Sequence, residues 1–214
     1  MGRLRVTGTY PLQYGEGGQP HKVQSAGHVE LAGAAAMRWV LSGMTLTMAL
    51  FILGCTGVPR GLNPVTGCDV HRYMGKWYEI ARLDHRFERG LSDVSATYTQ
   101  RDDGTISVLN RGFSEEDGAW KESSGAARFW GDRTVGCLDV TFFWFFHSGC
   151  YIIALDKDQY SYAMVAGPSR SYLWIMSRRK HMDKATLDGL VRQAAELGFV
   201  TDKLIYVPQS RPEG

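Results

Sequence analysis

Cysteine and histidine are the side chains best equipped for covalent or metal chemistry, and this chain has four of the first and six of the second. None of the cysteines stands in a C-x-x-C pair, so a structural zinc site is not expected. His21, His28, His71, His85, His147 and His181 are scattered without metal-ligand spacing, and no metal is assigned. A nucleophile with its base could be assembled only from Cys137, Cys150, His147 and Asp139. A strand cysteine is more often a small buried hydrophobe than a reactive thiol, so no catalytic residue is named. His147 follows five aromatic residues and is the one candidate axial ligand for a haem or pigment, but a lone loop histidine usually stays in solvent. No cofactor is expected. In an oxidising compartment Cys68 could bridge to Cys137 or Cys150, and connectivity is not readable from sequence.

Cys55 differs from the other three by what precedes it. Residues 1–36 are Gly-rich and aperiodic, a disordered leader or the product of a start codon upstream of the true one at Met37. Arg38 then opens an uncharged run, Trp39 to Gly54, too short for a membrane span of about 20 residues and suited to a signal-peptide core. It ends Ile52-Leu53-Gly54-Cys55, which resembles the bacterial lipobox, whose cysteine is lipidated and becomes the first residue. Residues 37–54 are therefore expected to be a lipoprotein signal peptide and residues 55–68, rich in Pro and Gly, a tether. Thr56 is not the Asp that would suggest inner-membrane retention, so the outer membrane is the expected destination, facing the periplasm or the surface. With 24 basic and 22 acidic residues, the chain lacks the footprint of a nucleic-acid binder.

From Gly75 the chain reads as short β-rich runs separated by turn signals such as Asp102-Asp103-Gly104, Glu116-Asp117-Gly118 and Gly167-Pro168-Ser169. Eight runs, from Lys76–Leu83 to Tyr172–Arg178, with no helix between them form an up-and-down meander. Closing it into a barrel removes both exposed edges. Within Asp183–Gly198 one apolar stripe of Leu187, Leu190, Val191, Ala194 and Leu197 predicts a helix on the barrel's outer wall. The predicted fold is all-β: an eight-stranded antiparallel up-and-down barrel over residues 69–208, with one C-terminal α-helix packed outside and a tail at 209–214.

Asp69–Arg82, with Gly75-Lys76-Trp77 opening the first strand, resembles the first signature of the lipocalin family. Asp84–Leu91 is similar to the first loop of its bacterial outer-membrane lipoprotein subgroup, relatives of apolipoprotein D. Tyr172–Arg178 resembles the third signature, with its terminal arginine. Independently of resemblance, Gly75 permits a tight entry into the strand, Trp77 is the largest plug for a closed barrel end, and Arg178 can lay its guanidinium across that indole. These three are read as barrel-closing structural residues.

Alternate loops of a meander share an end, so those at 84–93, 114–120, 144–149 and 167–171 lie opposite Trp77 and define a mouth. Phe142 to Phe146 put five aromatics there. With Arg178 facing Trp77, strand parity turns Tyr172, Trp174 and Met176 inward. Tyr172, Trp174, Met176, Trp144, Phe145, Phe146 and Phe87 are the candidate ligand-binding residues. The expectation is a membrane-anchored protein that binds or carries a fatty acid, lysophospholipid or similar apolar molecule. The alternatives are an enzyme acting on a lipid and a haem- or pigment-binding barrel. A homodimer is compatible with this reading.

Overall fold

The computed structural model describes residues 57–142 and 146–212, without the side chains of Phe142 and Phe146. The expected leader, signal peptide and lipidated Cys55, together with Trp144 and Phe145, lie outside the described residues.

Asp69 caps the four-residue helix α1 (Val70–Tyr73), accepting the His71 N–H at 2.9 Å. Eight strands follow: β1 (Gly75–Leu83), β2 (Leu91–Gln100), β3 (Ile106–Ser114), β4 (Ala119–Phe129), β5 (Cys137–Phe142), β6 (Phe146–Leu155), β7 (Tyr162–Ala166) and β8 (Leu173–Ser177). Each pairs antiparallel with the next, and β8 returns to β1, closing the barrel. Helix α2 (Lys184–Glu196) starts where Asp183 accepts the Thr186 N–H at 2.9 Å and stops at Gly198, whose φ of +84° suits glycine. Beyond a short 3₁₀ turn, β9 (Leu204–Tyr206) pairs with Ala81–Leu83 of β1.

Apolar side chains divide between two sides of the wall. Trp77, Ala96, Val108, Val140, Ile152, Val165 and Met176 belong to the interior cluster. Ala81, Leu83, Leu173 and Ile175 pack outside with Leu190 and Ala194 of α2, as the helical stripe requires. In β1 the alternation is interrupted. Glu79 pairs with Met176 and Ala81 with Ile175, leaving Ile80 as an extra residue in a bulge. Trp77 and Glu79 face inward before it. After it Ala81 and Leu83 face outward, and Arg82, opposite Trp174, faces inward.

Three expectations are corrected. Residues 57–68 are not a free tether: Leu62 is buried in the outer cluster, the Val65 N–H donates to the Ile152 carbonyl at 2.8 Å, and the Cys68 N–H to that of Thr134 at 2.7 Å. An apolar Leu and Val every third residue give this stretch a wall to lie on. Nor do residues 209–212 form a loose tail. The buried Gln209 amide donates to the Glu79 and Val94 carbonyls, both at 2.8 Å, bridging β1 and β2 beyond the end of their ladder. Finally, β6 begins at Phe146, so Ser148-Gly149 is strand and His147 is no loop residue.

Candidate functional site

The closed end is built around Trp77. Its ring is fully buried, and its Nε1–H donates to the Tyr73 carbonyl at 2.9 Å, tying β1 to α1. Gly75 sits between them at φ +94°, a conformation that a side chain disfavours. The Arg178 guanidinium carbon lies 3.9 Å from the centre of the Trp77 ring. The same guanidinium also donates to the carbonyls of Arg72 (2.7 Å), Tyr73 (3.0 Å), Met74 (2.8 Å) and Lys76 (2.8 Å). The first three are the carbonyls left over at the end of α1 and the fourth lies in β1, so Arg178 lids the indole, caps the helix and ties it to the strand. Burial lowers its pKa, an influence that Tyr73 opposes.

At the opposite end the β7–β8 turn and the β1–β2 loop bring together a different set. The Trp174 indole stacks on Tyr172 (ring centres 6.1 Å apart, 24° between planes) and meets His85 edge-on at 5.2 Å. His85 also lies 5.7 Å from Tyr172 and 6.1 Å from Phe87, which is itself 55% exposed. Met176 lies deeper, opposite Glu79 and Ala163. Tyr172, Trp174 and Phe87 thus meet around His85; Met176 is further down the same strand face. Phe146 has a described backbone only, as the first residue of β6.

Sequence reasoning passed over four polar residues here. Glu79 and Arg82 are each 1% exposed, and the Arg82 Nη1–H donates to Glu79 Oε1 at 2.6 Å. Arg82 Nη2–H donates to the carbonyls of Glu88 at 2.6 Å and Leu91 at 3.3 Å, fastening the β1–β2 loop. His85 Nε2 stands 3.0 Å from Glu88 Oε2, and Trp174 Nε1–H donates to that oxygen at 3.1 Å. Burial, aided by the charge on Glu88, pushes the Glu79 carboxyl well above the usual range, against the pull of Arg82. Glu88 is held below its ordinary value: burial raises it, but His85, Trp174 and the Glu79 carboxyl together outweigh that. Of the two carboxyls, Glu79 thus holds its proton the more tightly and Glu88 the less. A signal for Glu79 existed, since it shares the parity of Gly75 and Trp77; Arg82 gave none, because a bulge reverses its face.

The nucleophile set is split across the wall. His147 pairs with Thr141 in the ladder, its Nδ1 lies 3.3 Å from both Asp139 carboxylate oxygens, and its side chain is 50% exposed. Cys150, three residues on, has the opposite parity and joins the interior cluster. Burial raises its thiol to about 12, with Asp139 and Glu88 adding to the shift, so it is almost wholly protonated at neutral pH. Cys137 packs in the outer cluster, four residues along β5 from Thr141, roughly 13 Å away. Cys68, Cys137 and Cys150 are all free thiols. Among the described residues no group of three or more His, Cys, Asp or Glu could hold a metal ion.

Known proteins match this architecture. Residues 68–209 match the family model described as a lipocalin-like domain. The chain is 48% identical over 161 residues to outer membrane lipoprotein Blc of Vibrio cholerae, covering 75% of this chain and 94% of that one. It is 44% identical over 165 residues to the Escherichia coli protein of the same name, covering 76% and 93%. Among solved structures, insecticyanin from the tobacco hornworm Manduca sexta superposes with a TM-score of 0.57 at 22% identity, over 72% of this chain and 88% of that one, a likeness of fold. With Trp77 and Arg178 closing one end of an eight-stranded barrel and relatives of this similarity, the chain belongs to the lipocalin family, in its bacterial outer-membrane lipoprotein subgroup.

Proposed function

We propose that the barrel binds one single-chain lipid, a fatty acid or lysophospholipid, tail inward, and that a lipid on Cys55 holds it at the outer membrane. The observation carrying the proposal is the asymmetry of the two ends. Trp77 and Arg178 seal one. At the other, Tyr172 and Trp174 stack around His85 at a loop carrying the exposed Phe87, above an apolar interior. An acyl chain entering there meets Trp174 first and Met176 below it.

The energetics are adequate. Burying about 16 acyl carbons at roughly 0.8 kcal/mol each gives about 12–13 kcal/mol gross. Subtracting at least about 4 kcal/mol for association leaves roughly micromolar or tighter binding. A haem held by His147 is less well supported, since that imidazole pairs with Asp139 on the outer face. Native mass spectrometry of the protein extracted from its own membrane tests the proposal. A co-purified mass equal to one single-chain lipid is expected; a Soret-absorbing adduct would contradict it.

A further inference from the structure

One carboxylate at the mouth is already held by a set of donors. Glu88 belongs to the loop between β1 and β2, yet its side chain is only 18% exposed, with Oε2 between Trp174 Nε1 at 3.1 Å and His85 Nε2 at 3.0 Å. Glu79, bonded to Arg82, belongs to the same cluster, its carboxyl pushed up by burial and by the charge on Glu88. Apart from His85, whose carbonyl accepts the Glu88 N–H, these neighbours are held by strands rather than by Glu88. Trp174 is fixed in β8, and Glu79 and Arg82 in β1, with Arg82 bonded to Glu79 and facing Trp174 across the ladder. Donor capacity is also left over: Arg82 Nε is buried without a hydrogen-bond partner. A buried cluster holding one guanidinium and a surplus of N–H donors is chemically a receptor for an oxyanion.

We propose that Glu88 occupies the barrel's own head-group position, and that an anionic lipid head displaces it and takes over the contacts to Trp174 and His85. The assignment rests on lipid binding as proposed above and goes further, naming the anionic head as what the mouth selects. Charge balance favours it. A lipid oxyanion that replaces the Glu88 carboxylate leaves the net charge of the cluster unchanged, whereas a neutral head removes one negative charge from the surroundings of the buried Arg82. The Glu88 side chain can swing out while Arg82 keeps the loop's main chain in place through the Glu88 and Leu91 carbonyls. Glu88 thus acts as an internal competitor, setting a threshold that weakly bound neutral chains do not cross.

Affinities of the lipid-stripped full chain for palmitate, a palmitoyl lysophospholipid and hexadecanol test this, each compared between parent, Glu88→Ala and Trp174→Phe. With the competitor gone, the preference for at least one of the two anionic ligands over hexadecanol should rise about tenfold in Glu88→Ala. Loss of the indole donor should lower that preference several-fold in Trp174→Phe. A rise for palmitate alone identifies the carboxylate as the head group, for the lysophospholipid alone the phosphate, and for both an oxyanion in general. Preferences that stay within about twofold of the parent in both variants would overturn the assignment, as would a fall in Glu88→Ala. If Glu88→Ala does not fold, Glu88→Gln, which removes the charge and keeps the shape, carries the same comparison. Hexadecanol binding with unmoved preferences refutes the head-group assignment alone; no binding of any of the three by the parent chain refutes lipid binding itself.

Discussion

One guanidinium, that of Arg178, covers the Trp77 ring and bridges four backbone carbonyls of the α1–β1 segment, two roles that a single substitution would merge. Truncating Trp77 to alanine should cost about 3–5 kcal/mol, the usual loss for a large buried aromatic. Arg178→Ala should cost less, and a double-mutant cycle should give coupling of about 0.5–2 kcal/mol, read from denaturant midpoints. An additive cycle would mean that ring and guanidinium are not energetically in contact. Arg178→Lys should fail to rescue, because a point charge does not bridge four carbonyls and cover a ring at once. Trp77 and Arg178 were legible in the sequence because their roles follow from size and position at a strand end. Glu79, Arg82, His85 and Glu88 were not, because charged side chains read as solvent-facing unless their burial is known.

At the scale of elements, the bulge at Ile80 decides which face Arg82 presents. Deleting Ile80 should heal the bulge with the faces unchanged: Ala81 then follows Glu79 directly, so Ala81 and Leu83 still point outward and Arg82 inward. That variant should lose the Ile80 side chain from the outer cluster yet keep the contacts of Ala81 and Leu83 to α2 and the Arg82–Glu79 bond, and it should still melt cooperatively. Loss of the cooperative melt would contradict the pairing of Ala81 with Ile175 and Arg82 with Trp174. Strand order, the helical stripe and its Asp183 cap were legible because they rest on local periodicity and turn chemistry. The bulge was not, since nothing local in Glu-Ile-Ala-Arg marks an extra residue. The start of β6 was missed for a related reason: Ser148-Gly149 carries a turn signal that pairing with Asp139 and Val140 overrides. Residues 57–68 and Gln209 were missed because their partners are far away in the chain.

Across the whole molecule, buried Glu79 gives a pH dependence with a definite sign. Its folded pKa is raised above the ordinary 4.5, so the folded state holds a proton that the unfolded chain releases. Stability from this group is complete below about pH 4.5 and declines as pH rises toward the folded value. Glu79→Gln should remove that decline, so the stability of the variant relative to the parent should grow with pH above the carboxylate range. An unchanged difference from pH 4 to pH 8 would show that Glu79 is ionised in the fold. Attachment belongs to the same scale. If Cys55 carries the lipid, Cys55→Ser should leave the protein unprocessed or released from the outer membrane, because stable anchoring takes more than one acyl chain. Finding that variant still mature and membrane-bound would dispose of lipidation at Cys55.

The most direct test of lipid binding uses the indole that the barrel turns toward the mouth. In lipid-stripped protein, adding a long-chain fatty acid should quench or shift a large part of the tryptophan emission, saturating at one lipid per chain. Trp174→Phe should abolish most of that change while leaving the fold intact by circular dichroism. The same emission change persisting in Trp174→Phe would put the ligand elsewhere, and no response with no measurable binding of any apolar ligand would mean that the barrel is not a lipid carrier.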